Sequence, residues 1–281
     1  SHLLGRRPAV APVPRAGPEA TGGATTAQVP AGVPELELTC VGAAWERDAD
    51  QAPATAATHY DLAPLDLRLT PGSRTLVTGA NGSGKSTLLA VLARHLDPAT
   101  GRYLMGSARD AHNGHDERAA RSVRDVRDLP LDAVRSRVAV VNDEPWILAT
   151  SLRENLRVAR PQPEPLSDDA LDARLVEGLA QAGLGSWWAG LPDGLDTRLG
   201  IGSRGVSGGE RARLGLARAL VSEREVLLLD EPVAHLDPAT ARAVLTDLDL
   251  ATAGRTVVLV SHDAVPEGLV DRVVTLAGRP S

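Results

Sequence analysis

The sequence predicts an α/β fold with a mostly parallel core sheet, on the basis of two patterns. Short apolar segments that read as buried strands, Leu76–Thr78, Val138–Val141 and Glu225–Asp230, alternate with segments of helical pattern. A glycine-rich loop, residues 79–87, joins the first of these strands to the apolar helical segment Leu88–Leu92. Strands that alternate with helices pair in parallel, because the crossover returns the chain to the same end of the sheet.

The N-terminal part reads as a linker followed by two strands. Residues 1–34 contain six prolines among Ala, Gly and Thr, which is typical of an extended or disordered linker. Residues 35–281 are the predicted folded domain. Leu36–Val41 alternates between apolar and polar side chains as a strand does, and Leu62–Leu69 is a second strand candidate.

The middle of the chain is predicted to contain a surface insertion and then helices. Residues 107–127 are polar and charged, so we interpret them as a solvated insertion. His112 and His115 within it are interpreted as solvated rather than metal-binding, because no further ligand cluster accompanies them. From Ser151 to about Leu191 the pattern is helical and leucine-rich, and the Trp187–Trp188 pair is interpreted as packing.

The composition disfavours several classes of function. A formal net charge of −6 argues against a broad nucleic-acid-binding surface, so no nucleic-acid partner is expected. Cys40 is the single cysteine, which excludes an internal disulfide framework and fits a reducing compartment. The sequence lacks both a span of roughly eighteen apolar residues and the apolar region of a signal peptide, so the chain is expected to have no membrane span of its own.

The glycine-rich loop fits the phosphate-binding pattern G-x-x-x-x-G-K-[ST]. Its residues are Gly79, Ala80, Asn81, Gly82, Ser83, Gly84, Lys85, Ser86 and Thr87. Glycines let the backbone wrap around phosphates, and the following helix points its positive end at them. Lys85 is the one lysine among 30 basic residues, and its compact ammonium is expected to reach the β- and γ-phosphates while Ser86 ligates Mg²⁺. The alternative, a turn without a ligand, is disfavoured by the flanking strand and helix.

The apolar strand that begins at Glu225 ends in two carboxylates, Asp230 and Glu231. A carboxylate at the end of a buried strand beside a phosphate loop holds Mg²⁺ in P-loop NTPases, so Asp230 is predicted to be a magnesium ligand. Glu231 then lies where a general base can polarise the water that attacks the γ-phosphate. The alternative is a strand that simply ends in acidic turn residues.

A serine–glycine–glycine turn distinguishes among P-loop proteins. Ser207, Gly208, Gly209 and Glu210 open a helical segment and lie 23 residues before Asp230 (230 − 207). At this point the chain resembles the nucleotide-binding domain of ABC ATPases, whose signature reads LSGGQ. The resemblance implies that this turn binds the γ-phosphate of an ATP held by the opposite subunit. It also implies a P-loop NTPase fold with an N-terminal antiparallel β portion and a helical subdomain at about 146–222.

Further residues match the family one at a time. Asp237 stands at the D-loop position, which contacts the other subunit, and His262 matches the switch histidine that senses the γ-phosphate. Trp45 falls where the family stacks an aromatic ring on adenine, with Tyr60 as its rival and core packing as the alternative. Asp143 stands where the family has the Q-loop glutamine. An aspartate can still ligate Mg²⁺, but its charge near other carboxylates is expected to alter hydrolysis.

The resemblance implies a function. ATP and Mg²⁺ are the expected cofactors, and the expected partners are a second ABC ATPase domain, identical or related, and transmembrane transport subunits. The segments Thr150–Leu156 and Gly190–Thr197 are similar to exporter-type domains, and Asp230–Asp237 is similar to the CydC-type subunit of a thiol-reductant exporter. The implied location is the cytoplasmic face of the cell membrane, with membrane contact only through the partner subunits. Two alternatives are a soluble, non-transport ABC ATPase and a weakly hydrolysing regulatory subunit.

Overall fold

The computed structural model describes residues 32–45, 60–107, 123–159, 167–200, 205–234, 236–262 and 265–277. Most of the predicted linker 1–34, together with His112 and His115, lies outside the described residues. Within them, no helix combines the length and the apolar character needed to cross a membrane.

Two sheets make up the strand portion of the structure. In chain order the strands are β1 (Pro34–Ala43), β2 (Leu62–Leu69), β3 (Arg74–Gly79), β4 (Thr100–Ser107), β5 (Arg124–Asp125), β6 (Val138–Val141), β7 (Val226–Asp230), β8 (Thr256–Val260) and β9 (Arg272–Leu276). The first sheet is antiparallel, in the order β2-β1-β4-β5. The second is parallel, in the order β6-β7-β8-β3-β9. The predicted parallel core and antiparallel N-terminal portion are both present.

The parallel sheet places the functional loops along one edge. β7 and β8 are buried along their whole length and read as continuous apolar runs, as expected for central strands covered on both faces. In a parallel sheet all carboxyl ends lie at the same edge, where ligands bind in α/β proteins. At this edge the chain leaves β3 into the phosphate loop, β6 towards Asp143, β7 into Glu231 and β8 into His262.

Helices cover the sheet and build a second layer. They are α1 (Lys85–Leu92), α2 (Leu131–Arg135), α3 (Leu152–Arg157), α4 (Asp168–Gln181), α5 (Gly185–Ala189), α6 (Gly208–Val221) and α7 (Pro238–Ala251). α3 to α6 fall inside the predicted helical subdomain and share one hydrophobic cluster, in which Leu152, Leu175 and Leu214 are fully buried. Trp187 and Trp188 pack against this cluster.

The surface interpretation of residues 107–127 is wrong at its C-terminal end. Arg124–Asp125 forms β5 against β4, and Val126 is fully buried in the core. The Asp125 side chain accepts a hydrogen bond from the backbone N–H of Arg127 and so caps a short 3₁₀ turn. A two-residue strand is too short to show alternation, so the sequence gives no periodic signal for it.

Candidate functional site

The phosphate loop has the backbone shape that its glycines permit. The backbone φ angles are 149° at Gly79, 78° at Gly82 and 96° at Gly84, values that residues other than glycine rarely adopt. A Cβ added to Gly84 would lie 2.6 Å from the carbonyl oxygen of Asp61, so the loop also needs glycine for space. Ala80, Asn81 and Gly82 are exposed at the tip of the loop, where a phosphate can approach.

Lys85 opens α1 and turns back over the loop. Its side chain is 8% exposed, and Nζ donates to the carbonyl oxygens of Gly79 at 2.9 Å and Ala80 at 3.1 Å. The Ser83 hydroxyl is buried nearby without a hydrogen-bond partner among the described residues. A held ammonium and a buried hydroxyl that lacks a partner fit a triphosphate, whose oxygens accept from both.

Two predicted magnesium ligands are in direct contact. The Ser86 hydroxyl donates to Oδ2 of Asp230 at 2.8 Å, which brings α1 and the end of β7 together. Burial raises the pKa of Asp230 and nearby Asp143 raises it further, while Ser86, Lys85 and His262 act in the opposite direction. A bound cation stabilises the ionised form of a carboxylate that is otherwise costly to ionise inside the protein.

This arrangement fits Mg²⁺ held jointly with phosphate oxygens. Among the described residues there is no group of three or more His, Cys, Asp or Glu side chains that could hold a metal on their own. Mg²⁺ in nucleotide enzymes needs no such group, because one or two protein oxygens, waters and substrate phosphates complete its octahedron. Asp143 is half-buried and its Oδ1 accepts from the Glu144 backbone N–H at 2.8 Å, so its role as a ligand stays a prediction.

Glu231 and His262 meet across the ends of β7 and β8. Nε2 of His262 lies 2.9 Å from Oε1 of Glu231. The Glu231 backbone has φ of 50°, which costs roughly 1–3 kcal/mol for a residue with a side chain. Its N–H donates to the carbonyl oxygen of Val260, so the sheet holds the turn in this conformation. The pair has the geometry of a base oriented by a second group.

The serine–glycine–glycine turn lies at the surface as the N-terminus of α6. Ser207 is exposed and caps the helix by accepting from the Glu210 N–H at 3.2 Å, and the Glu210 carboxylate accepts from the Ser207 N–H at 2.8 Å. Gly208 is also exposed, and a Cβ added there would meet nothing within 4 Å. The fourteen-residue helix directs its positive end at this surface, which favours an anion.

The predicted D-loop residue Asp237 caps α7. Its Oδ1 accepts from the Thr240 N–H at 3.0 Å, and the hydrogen bonds of Thr240 lower the pKa of its carboxyl group. Leu236, just before it, packs towards the signature: a Cβ added to Gly209 would lie 3.0 Å from the Leu236 side chain. The D-loop and the signature therefore adjoin within one chain, and the intersubunit role of Asp237 stays a prediction.

Trp45 lies in the core. Its side chain is 7% exposed and the indole N–H donates to the Thr87 hydroxyl at 3.2 Å. This burial favours core packing, the alternative raised above, over adenine stacking. Tyr60, the rival for adenine, is half-buried. The adenine contact stays a prediction for both residues.

Sequence reasoning missed an arginine that supports the signature turn. Nε of Arg213 donates to the carbonyl oxygen of Gly209 at 3.2 Å, and Nη1 donates to that of Gly183 at 2.9 Å. The guanidinium thus ties the first turn of α6 to the turn that follows α4. A single arginine in an arginine-rich helix carries no pattern that distinguishes it, so only the fold reveals this contact.

Replacing Asp230 is expected to separate stability from function. Asp230→Asn should raise the thermal unfolding midpoint without nucleotide by about 2–4 °C, the shift that about 1 kcal/mol produces in a domain of this size, because a buried charge is removed. The same variant should lose the Mg²⁺ dependence of ATP binding. Calorimetry and ATP titrations with and without Mg²⁺ measure both effects, with exposed Asp247→Asn as the control. A lower midpoint for Asp230→Asn would contradict the argument.

Comparison with known proteins identifies the class to which this site belongs. The sequence pattern of the family described as "ABC transporter" matches residues 62–234. The chain therefore belongs to the ABC transporter family. Within it, the chain is an ATP-binding ATPase domain, and such domains bind ATP with Mg²⁺. The predicted α/β P-loop NTPase fold is confirmed.

Individual relatives are longer proteins. The chain is 32% identical over 219 residues to the mitochondrial potassium channel ATP-binding subunit of Xenopus tropicalis, with 78% of this chain and 29% of that protein covered. It is 30% identical over 215 residues to the ATP-dependent lipid A-core flippase of Chromobacterium violaceum, with 76% and 33% covered. The chain thus spans about a third of the length of these relatives.

A solved structure has the same architecture. The structure of a bacterial Atm1-family ABC exporter with ATP bound superposes with a TM-score of 0.68. The two sequences are 25% identical, and the match covers 90% of this chain and 39% of that one.

Proposed function

We propose that this chain hydrolyses ATP in a sandwich of two such domains and thereby drives an ABC exporter from the cytoplasmic face of the cell membrane. One observation carries the proposal. The phosphate loop, Asp230, Glu231 and His262 converge at one edge of the parallel sheet, while Ser207 and Gly208 are presented on an exposed helix tip. An exposed anion-binding tip is what a second protomer needs in order to close over a nucleotide.

Each side chain has a separate task in this proposal. Lys85 binds the β- and γ-phosphates, and the loop amides hold them in place. Mg²⁺, when bound by Ser86, Asp230 and Asp143, neutralises phosphate charge. Glu231 accepts a proton from the attacking water, and His262 orients the Glu231 carboxylate. Ser207 to Glu210 of the partner protomer cover the γ-phosphate, and Asp237 lies at the junction between protomers.

The contact with transmembrane subunits is proposed at the segment after Asp143. Trp146 is 74% exposed, an unusual state for a tryptophan. Val158, directly after α3, is also exposed. Trp146 lies three residues from Asp143. A transport subunit that binds Trp146 is therefore connected through a short segment to the magnesium side of the site. The same aspartate supports the weakly hydrolysing regulatory subunit as the second candidate.

Thiol reductants such as cysteine or glutathione are the proposed cargo. The support is the similarity of Asp230–Asp237 to the CydC-type subunit. Cargo is determined by membrane-spanning segments, so uptake of cysteine or glutathione by vesicles that carry the assembled transporter is the measurement that bears on it.

The sandwich is tested by mixing two inactive variants. Lys85→Ala removes the phosphate loop contact, and Gly208→Asp places a negative charge at the signature, where the added side chain has free space. Each variant alone should be inactive. A 1:1 mixture should regain about one quarter of wild-type turnover, because half of the dimers are mixed and each of these has one intact site.

The control is Gly205→Asp, which adds the same charge at another glycine with open space around it, three residues before Gly208. This variant should keep its activity. If the mixture stays inactive, each variant is combined with the wild-type related partner chain instead. Failure of both combinations, or full activity of Gly208→Asp alone, would contradict the sandwich.

A further inference from the structure

A single guanidinium joins the signature helix to the segment that follows Asp143. Nε of Arg218, on α6, donates to the backbone oxygen of Asn155 at 2.6 Å, and Nη2 donates to Oδ1 of Asn155 at 2.5 Å. Nη1 donates to the backbone oxygen of Trp146. All three contacts end on amide oxygens, and burial lowers the pKa of Arg218.

Asn155 extends this contact into the loop. It is fully buried, and its Oδ1 accepts from the Leu148 N–H at 2.9 Å. Its Nδ2 donates to the carbonyl oxygens of Leu148 at 3.0 Å and Ser151 at 2.9 Å. The side chain of Asn155 therefore fixes Leu148 by both of its backbone polar groups and at the same time receives Arg218.

A second contact joins the same two elements one turn earlier on α6. A Cβ added to Gly215 would lie 2.3 Å from Cγ of Pro145 and 3.3 Å from Cγ1 of Val141. The loop therefore approaches α6 at a distance that only glycine allows. Positions 215 and 218 are three residues apart and face the same side of a helix. The loop is held by shape at Gly215 and by oriented hydrogen bonds at Arg218.

We propose that Arg218 is a positioning residue that fixes the Asp143 loop relative to the signature end of α6. Ser207 lies eleven residues before Arg218 (218 − 207), about 16 Å along a helix at 1.5 Å per residue. Pro145 and Trp146, which these contacts hold against α6, lie two and three residues after Asp143. Arg218 therefore sets where the Asp143 carboxylate stands at the magnesium side of the site. This inference rests on the proposed function.

A purely structural brace is the alternative, and a double-mutant cycle distinguishes the two. Arg218→Lys keeps the charge but cannot form the three-contact fork. We expect it to lower kcat of the full chain by about tenfold while the KM for ATP changes by less than about twofold, because the phosphate loop is untouched. In the Asp143→Asn background, Arg218→Lys should lower kcat by less than about twofold, because the loop no longer carries the charge that Arg218 positions.

ATP binding provides a second readout. General destabilisation of the fold would weaken ATP binding with and without Mg²⁺ alike, whereas a misplaced Asp143 weakens only the binding with Mg²⁺. Arg218→Lys should leave the Kd for ATP in EDTA unchanged and weaken the Kd for ATP with Mg²⁺. Gly215→Ala, which displaces the same loop by steric contact, should reproduce both effects if Arg218→Lys folds poorly. Arg157→Lys is the control, an exposed arginine on α3.

Three outcomes would overturn the inference. The first is an unchanged kcat for Arg218→Lys. The second is that Arg218→Lys lowers kcat by the same factor in the wild-type and Asp143→Asn backgrounds. The third is that it weakens ATP binding equally with and without Mg²⁺. Failure of the proposed function looks different, because the wild-type chain would then turn over no ATP with its partner present.

Discussion

Lys85→Ala is expected to abolish ATP binding by the isolated chain. The variant removes the single ammonium that turns over the phosphate loop, where its acceptors are the backbone oxygens of Gly79 and Ala80. Affinity should fall by about 100-fold or more, the size expected when a charged donor is removed from a largely buried site. Equilibrium titration with ATP measures the loss. An unchanged Kd would contradict the assignment of the loop.

The uniqueness of this lysine gives an independent measurement. Because Lys85 carries the one ε-amino group of the chain, bound ATP is expected to protect that group from an amine-selective reagent. Peptide mapping separates its label from that of the N-terminal amine, and Lys85→Arg is the matched control without an ε-amine. If Lys85 reacts at the same measurable rate with and without ATP, the nucleotide lies elsewhere.

Glu231→Gln is expected to bind ATP normally and to lower kcat by about 10³-fold, within the range that general-base catalysis contributes. Glutamine has nearly the same size as glutamate and leaves the positive φ at position 231 in place, so the turn after β7 should keep its conformation. Its side-chain amide cannot accept the proton from water. With ATP and Mg²⁺ the variant should accumulate as a closed dimer, alone or with its natural partner. Steady-state turnover and light scattering measure the two effects.

Glu177→Gln provides the comparison for this variant. Glu177 lies on α4 and accepts a hydrogen bond from Gln181, so the same carboxylate-to-amide change is made away from the site. Its turnover should equal that of the wild type. A Glu231→Gln chain that keeps turnover within about tenfold of wild type would assign the base to another group. A variant that stays monomeric with ATP and partner present would contradict the closed dimer.

The sequence predicts those parts of the fold that are fixed by local patterns. The predicted strands Leu62–Leu69 and Val138–Val141 have the bounds observed for β2 and β6. Apolar runs between turn residues are sufficient for this, because burial on a sheet requires little else. The phosphate loop is equally local, since spacing alone brings Gly84, Lys85 and Ser86 to a helix start.

Contacts between distant segments are what the sequence does not predict. The indole N–H of Trp45 reaches Thr87, 42 residues away, and the Arg218 guanidinium reaches Asn155 across 63 residues. Such pairs depend on how α1 and α6 pack against their neighbours, and a single sequence contains no periodic signal for them. Short strands such as β5 are missed for a related reason, because pairing partners rather than local alternation define them.

The reciprocal bonds between Ser207 and Glu210 have a consequence for how the helix tip receives a ligand. The Ser207 amide is already committed to a carboxylate of its own chain, which acts as a resident anion beside the exposed Gly208. An incoming phosphate must therefore displace that carboxylate or share the tip with a like charge. In the proposed sandwich, a phosphate held by the second protomer would replace the Glu210 carboxylate at the Ser207 amide. A ligand that carries less negative charge would compete less well for that amide, so it would favour closure less.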